Sequence, residues 1–170
     1  MKLNGQFYRE LDEILEKELF HAYNSSHMEE RHIFINDNEM RHRLKKMDSV
    51  DGDICMVSKF DCNTEQILPV IHSCISKNLK ELQKWNPNRE FLLLHLDQPE
   101  PIGHGFVKGT DLRNSFFMSR IRVILAESDI KGRLFSVITA YPVPNLDEID
   151  DIWDNIDQFN EFRRLKKRDA

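Results

Sequence analysis

The apolar residues of this chain change their period twice, and that change limits the fold more than any other feature. Through residues 6–23 they recur at helical spacing, with Phe7, Leu11, Ile14, Leu15, Leu19 and Phe20 on or near one side. Helical spacing returns at Met40, Leu44 and Met47, and again at Ile67, Val70, Ile71, Cys74, Ile75, Leu79 and Leu82. Short runs of branched and aromatic residues then take over: Phe91 to Leu96, Ile121 to Leu125 and Leu134 to Val143, set apart by glycine or acidic turns. A last helical stripe closes the chain, formed by Leu146, Ile149, Ile152, Trp153, Ile156, Phe159 and Phe162. Helices first and strands after them favour an α+β architecture over alternating βα units. The strands read as one antiparallel sheet.

Local signals place the boundaries. Asn24-Ser25-Ser26 is a stop, and residues 27–35 fit neither period. Asn36 with Glu39, and Asn63 with Gln66, are capping boxes that start two helices. Asp51-Gly52-Asp53 is a turn before a short strand from Ile54 to Phe60. The helix after Asn63 runs to about Trp85, ahead of Asn86-Pro87-Asn88. The expected organisation is one domain over 1–170: an N-terminal helix in 1–26, a core in 27–144 and an acidic amphipathic helix in 145–170. A chain of 170 residues with 40% hydrophobic and 31% charged side chains is long enough for a real core.

Composition also excludes whole classes. No run approaches eighteen apolar residues, so no transmembrane helix is expected. Acidic residues interrupt the amino terminus MKLNGQFYRELDEIL, which is not a secretory signal. Cys55, Cys62 and Cys74 are too few and too scattered for a disulfide framework or a zinc site, and are expected to be small buried hydrophobes in a reducing compartment. The net charge of −5 argues against extended, non-specific nucleic-acid binding but leaves room for a small basic cleft. Much of the acid lies in 145–170, which holds eight acidic and five basic side chains; the remainder is close to neutral. The tail's acidic face either lies over the basic 27–46 region or docks a partner, or the helix simply packs on the core. The last is favoured.

The candidate chemistry rests on two separated segments, His27-Met-Glu-Glu-Arg-His32 with Arg41-His42-Arg43-Leu44, and Val137-Ile-Thr-Ala-Tyr-Pro142. Histidine suits acid and base roles near neutral pH. Arginine offers a planar fork of donors to a phosphate. Threonine and tyrosine hydroxyls also donate to phosphate oxygens. His32 and Arg43 approach one another if a short turn brings 27–35 back against helix 37–47. Strand alternation puts Thr139 and Tyr141 on one face together with Val137, with Ile138 and Ala140 on the other. Taken singly, each residue also suits a plain structural role: a helix-end histidine, a solvated arginine, a Thr-x-Tyr pair favoured in any strand.

In order along the chain, the segments resemble a known family. HMEERHIFINDNEMRHRL is similar to the opening of the ribonuclease-A-like C-terminal toxin domains of bacterial contact-dependent growth inhibition effectors. MVSKFDCNTEQI resembles that family's Ser-x-Phe strand and following helix, IGHGF its Ile-Gly-x-Gly turn, and RIRVILAESDIKGRLFSVITAYPVP its closing pair of strands. The resemblance covers about residues 27–144. Phe34 and Ile35 stand where the family has a glycine, and the helix after Pro144 extends past its pattern.

The resemblance implies a compact ribonuclease-A-like α+β fold without disulfides, and a metal-independent endoribonuclease toxin used in bacterial competition. It implies catalytic roles for His32, Arg43, Thr139 and Tyr141, with His27 supporting them and His104 a candidate RNA contact. Cleavage by the ribose 2′ hydroxyl to a 2′,3′-cyclic phosphate, without cofactor or metal, would survive chelation and peak near neutral pH. RNA, with tRNA among the candidates, is the implied substrate, and a cognate immunity protein the implied partner. Action is expected in the cytoplasm, after delivery into a target cell by a route not visible in this chain. The alternative is an inactive ribonuclease-like module that binds protein or RNA. The RNA target, the oligomeric state and the acid/base assignment stay open.

Overall fold

A computed structural model describes residues 1–18, 28–50 and 52–168 of the chain. His27, Leu19, Phe20 and the Asn24-Ser25-Ser26 stop lie outside the described residues. The elements run α1 (Gly5–Glu13) with a π turn (Ile14–Glu18), α2 (Met28–His32), α3 (Asp37–Lys46), β1 (Met56–Phe60), α4 (Thr64–Lys77), α5 (Leu79–Lys84), β2 (Leu92–Asp97), β3 (Gly103–Val107), β4 (Phe116–Met118), β5 (Arg120–Ala126), β6 (Ser136–Val143) and α6 (Leu146–Arg168). Both capping boxes form: the Asn36 and Asn63 side chains accept from the backbone N–H of Glu39 and Gln66, whose side chains accept in return. The long helix expected from Asn63 to Trp85 breaks at Asn78. There the Asn78 side-chain amide donates to the Cys74 and His95 carbonyls, tying the break to β2.

The strands form two antiparallel sheets instead of the one expected, in the orders β1-β3-β4 and β2-β5-β6. The segment IGHGF, expected as a turn, is strand β3 and the centre of the first sheet. Its glycines serve close approach. A Cβ on Gly103 would overlap the Lys59 carbonyl oxygen and lie 2.5 Å from Pro142 Cγ, and one on Gly105 would lie 2.6 Å from the Val57 carbonyl oxygen. The sheets meet where β1 lies against β6, and the buried Ser58 hydroxyl donates to the Pro142 carbonyl at 2.6 Å. Pro142 fits β6 because β6 is an edge strand, where a missing N–H is tolerated.

The larger core packs α1, α4 and α5 against one face of β2-β5-β6, through Phe7, Leu11, Ile71, Leu82, Ile121, Val123, Leu125 and Phe135. A smaller core of Ile35, Met40, Leu44, Val57 and Phe106 seats α3 on the first sheet. Alternation fails at one point in β6. Ile124 pairs with Thr139 but Leu125 pairs with Val137, so Ile138 is an extra, bulged residue. The bulge turns Val137 into the larger core beside Ala140, against the expectation that it shares the Thr139–Tyr141 face. Cys74 is buried and Cys55 and Cys62 are half-buried, all three as free thiols.

Helix α6 packs through the fully buried Ile152 and contacts β4. None of the residues lining the groove or cleft around 27–46 belongs to it, so its acidic face does not cover that region. Among the described residues no helix is long and apolar enough to cross a membrane.

Candidate active site

The outer face of β2-β5-β6, opposite the core, carries the candidate residues. Register aligns its side chains in rows: Leu93, Ile124 and Thr139; His95, Arg122 and Tyr141; Asp97, Arg120 and Val143. Short helix α2 packs against β6 and β1 and delivers His32 to the middle row. Buried Met28 and Ile35 anchor the chain on either side of His32. The His32 ring stacks on that of Tyr141, with centroids 5.1 Å apart and planes 21° apart.

His32 Nδ1 lies 3.1 Å from the Ser58 carbonyl oxygen. A carbonyl only accepts, so Nδ1 carries the hydrogen and Nε2 is left with its lone pair. Burial pushes the His32 pKa down to about 4; the Ser58 carbonyl pulls it up, and Arg43 and Arg31 add to the lowering. The ring is therefore neutral at physiological pH, the form that takes a proton.

Arg43 comes from α3, whose Met40 and Leu44 are fully buried and leave Arg43 on the side toward α2. Its Nη1 donates to the Arg31 carbonyl at 3.5 Å. Burial, then Arg31, hold its pKa below the ordinary value, and an arginine so shifted stays charged. His32, Arg43, Ser58, Arg122 and Tyr141 line one cleft of about 390 Å³, nucleotide-sized, together with Asp48 and Asp53. Arg43 also borders an open groove of about 1140 Å³ along α2 and α3, which holds Arg31, Arg41 and His42.

Three of the four expected catalytic residues thus meet in one cleft. Thr139 stands on the same face as Tyr141, one row away, but does not line the cleft. Its hydroxyl is the one buried side-chain polar atom without a hydrogen-bond partner among the described residues. His104 stands elsewhere. Its Nδ1 lies 2.6 Å from Asp61 Oδ1 and its Nε2 3.0 Å from Asp37 Oδ1, and it lines neither cleft nor groove. Held between two carboxylates, it ties α3 to the first sheet, and this setting does not suit the RNA contact expected of it.

Two site residues were not singled out by sequence. Arg122 Nη1 donates to the Tyr141 hydroxyl at 3.4 Å, and Arg122 Nε donates to His95 Nε2 at 2.8 Å. His95 must accept there, and burial, then Arg122 and Arg120, lower its pKa to suit the neutral form. The available signal was the alternation in RIRVILA, which puts Arg120 and Arg122 opposite Ile121 and Val123. Among the described residues no group of three His, Cys, Asp or Glu is placed to hold a metal ion.

Comparison with known proteins bears on the fold and the family. No curated protein matches the chain. The fold is similar to a crystal structure of a CdiA-CT/CdiI complex from Y. kristensenii 33638, with a TM-score of 0.55 and 20% identity over 68% of this chain and 96% of that one. The model of the bacterial CdiA-CT RNAse A domain matches residues 26–142, most of the chain and all of the cleft's catalytic candidates. The chain therefore belongs to the bacterial CdiA-CT RNAse A domain family, the ribonuclease-A-like endoribonuclease toxins of contact-dependent growth inhibition.

Proposed function

We propose that this protein cleaves RNA by transphosphorylation in the His32 cleft, with no metal in the reaction. The observation that carries the reading is the fixed tautomer of His32, a neutral ring with Nε2 unused beside two arginines and a tyrosine. Nε2 takes the proton of the ribose 2′ hydroxyl, and the 2′ oxygen attacks phosphorus. The new 2′ O–P bond forms as the P–O5′ bond breaks, which leaves a 2′,3′-cyclic phosphate. Tyr141, with Arg122 donating to its oxygen, gives its proton to the departing 5′ oxygen. Water then returns the proton from His32 to Tyr141. Arg43 stabilises the added charge of the phosphorane, and Thr139, whose buried and unpartnered hydroxyl stands one row from the cleft, donates to the same oxygens once bound RNA draws the two together.

In this reading the domain acts inside a target cell that it enters as part of a delivery system, with tRNA among its candidate substrates. A cognate immunity protein neutralises it. The CdiA-CT/CdiI complex of the similar structure supports such a partner. The test is incubation of purified protein with total RNA in excess chelator, beside His32→Ala and Tyr141→Phe variants. Cleavage by the wild type that both variants lose, with cyclic-phosphate ends, is the expected result. Loss of cleavage on chelation, with recovery on added magnesium, overturns the mechanism.

A further inference from the structure

A second cavity of about 440 Å³ adjoins the His32 cleft and shares Asp53, Ile54, Met56 and Arg122 with it. Its other walls include His95, Arg120 and, from α6, Ile149 and Trp153. We propose that this cavity is a second nucleotide subsite, in which Arg122 holds the phosphate between two nucleotides and Trp153 stacks the base of the one beyond the cleft. The proposal rests on the ribonuclease reading and extends it. Trp153 lies beyond residues 26–142, so the stacking wall of the subsite comes from the helix that follows the matched segment, while Arg122 comes from within it.

Four observations point the same way. The cavity is as large as the cleft, so each holds about one nucleotide. Arg122 is the wall between them, and both of its side-chain partners, His95 Nε2 and the Tyr141 hydroxyl, are neutral. Among the described residues it has no carboxylate partner, so its charge is available to a phosphate, whereas Arg120 is engaged by Asp97 at 2.5 Å. Trp153 is 36% exposed at the cavity edge, and a half-covered indole is a stacking platform that tolerates any base. Asp53 faces both cavities and repels a second phosphate from that wall, while its carboxylate suits an amino or imino hydrogen of a base.

The two tryptophans make this measurable. Trp85 is 3% exposed and donates to the Glu90 carbonyl, so quenching by a surface ligand reports Trp153. Full-length protein is titrated with pools of 2′-deoxynucleoside 3′-monophosphates and of 2′-deoxy dinucleotides of mixed sequence, which bind without being cut. The dinucleotide, which reaches both cavities, is expected to quench fluorescence and to bind about tenfold more tightly than the mononucleotide. In Trp153→Phe the quench disappears, and in Trp153→Ala the dinucleotide's advantage falls several-fold, as does kcat/KM for RNA dinucleotides relative to a nucleoside 3′-phosphate ester without a second base. Equal affinities for the two probes, or binding without any quench, overturn the subsite while cleavage in chelator leaves the nuclease reading standing. Tight, quenching dinucleotide binding by a protein that cuts no RNA supports the subsite and overturns the nuclease reading alone.

Discussion

Two histidines, His32 and His104, sit on opposite sides of strand β1 and have opposite surroundings. His32 meets the Ser58 carbonyl on one ring nitrogen, lies on the Tyr141 ring and has Arg43 and Arg31 near it. His104 meets a carboxylate on each nitrogen, from Asp37 and Asp61. The first setting leaves one nitrogen open, keeps the ring neutral and surrounds it with donors for a phosphate. The second uses both nitrogens and surrounds them with charge that repels a phosphate. The difference teaches that a histidine's role is read from what remains of its hydrogen-bonding capacity, and not from its place in a motif.

The largest effect follows directly. His32→Ala is expected to lower kcat for RNA cleavage by about a thousandfold, the range of a lost general base. His104→Asn is expected to keep kcat within a few-fold and to cost stability, about 1–3 kcal/mol, because Asp37 and Asp61 lose their common partner. Single-turnover cleavage and thermal melts on both variants check the pair. A His104 variant that melts as wild type does but cleaves a hundredfold more slowly would erase the contrast.

That contrast also marks what sequence conveyed and what it withheld. His32, Arg43 and Tyr141 were reached through the ordered resemblance of their segments to a known family, since taken singly each also suits a plain structural role. Helices α3, α4 and α6 and the strands of the second sheet were legible from local periods that survive in the folded chain. Arg122 and His95 were not, because their proximity to Tyr141 depends on strand register across three strands, which no local pattern encodes. Strand β3 was hidden because glycines needed for close packing against Lys59 and Pro142 look the same as glycines needed for a turn. The Ile138 bulge reversed the face of Val137 for the same reason: one inserted residue is visible only in the pairing.

The contrast sharpens with acid. The His32 pKa in the fold, about 4, lies below the 6.5 of the unfolded chain. Above pH 6.5 neither state binds the proton and the folded protein bears no penalty. Between 6.5 and 4 the unfolded chain takes it up first, so stability falls as pH falls, by roughly 3 kcal/mol at most. His32→Gln is expected to remove that part of the acid slope in denaturant titrations from pH 7 to pH 4. The same shift moves the acid limb of kcat/KM, which reports the free enzyme, toward pH 4, so the plateau of activity extends well below the neutral optimum expected from a solvated histidine. A limb with its midpoint near 6.5 means that the ring is open to water and that its neutral state is not built into the fold.

The smallest effect concerns Thr139, whose neighbours in the sheet are Ile124 and, beyond it, Leu93. A buried hydroxyl without a partner costs stability, and Thr139 Oγ1 is such an atom. If it waits for a phosphate oxygen, the free protein bears that cost for the sake of the transition state. Thr139→Val keeps the branched shape and removes the hydroxyl. It is expected to raise the stability of the free protein by about 1 kcal/mol and to lower kcat about tenfold, with KM little changed. Opposite signs in the two measurements are the mark of a group held for catalysis. If the valine variant is less stable and cleaves at the wild-type rate, the hydroxyl has a partner in solution, and the site is complete with His32, Arg43, Tyr141 and Arg122.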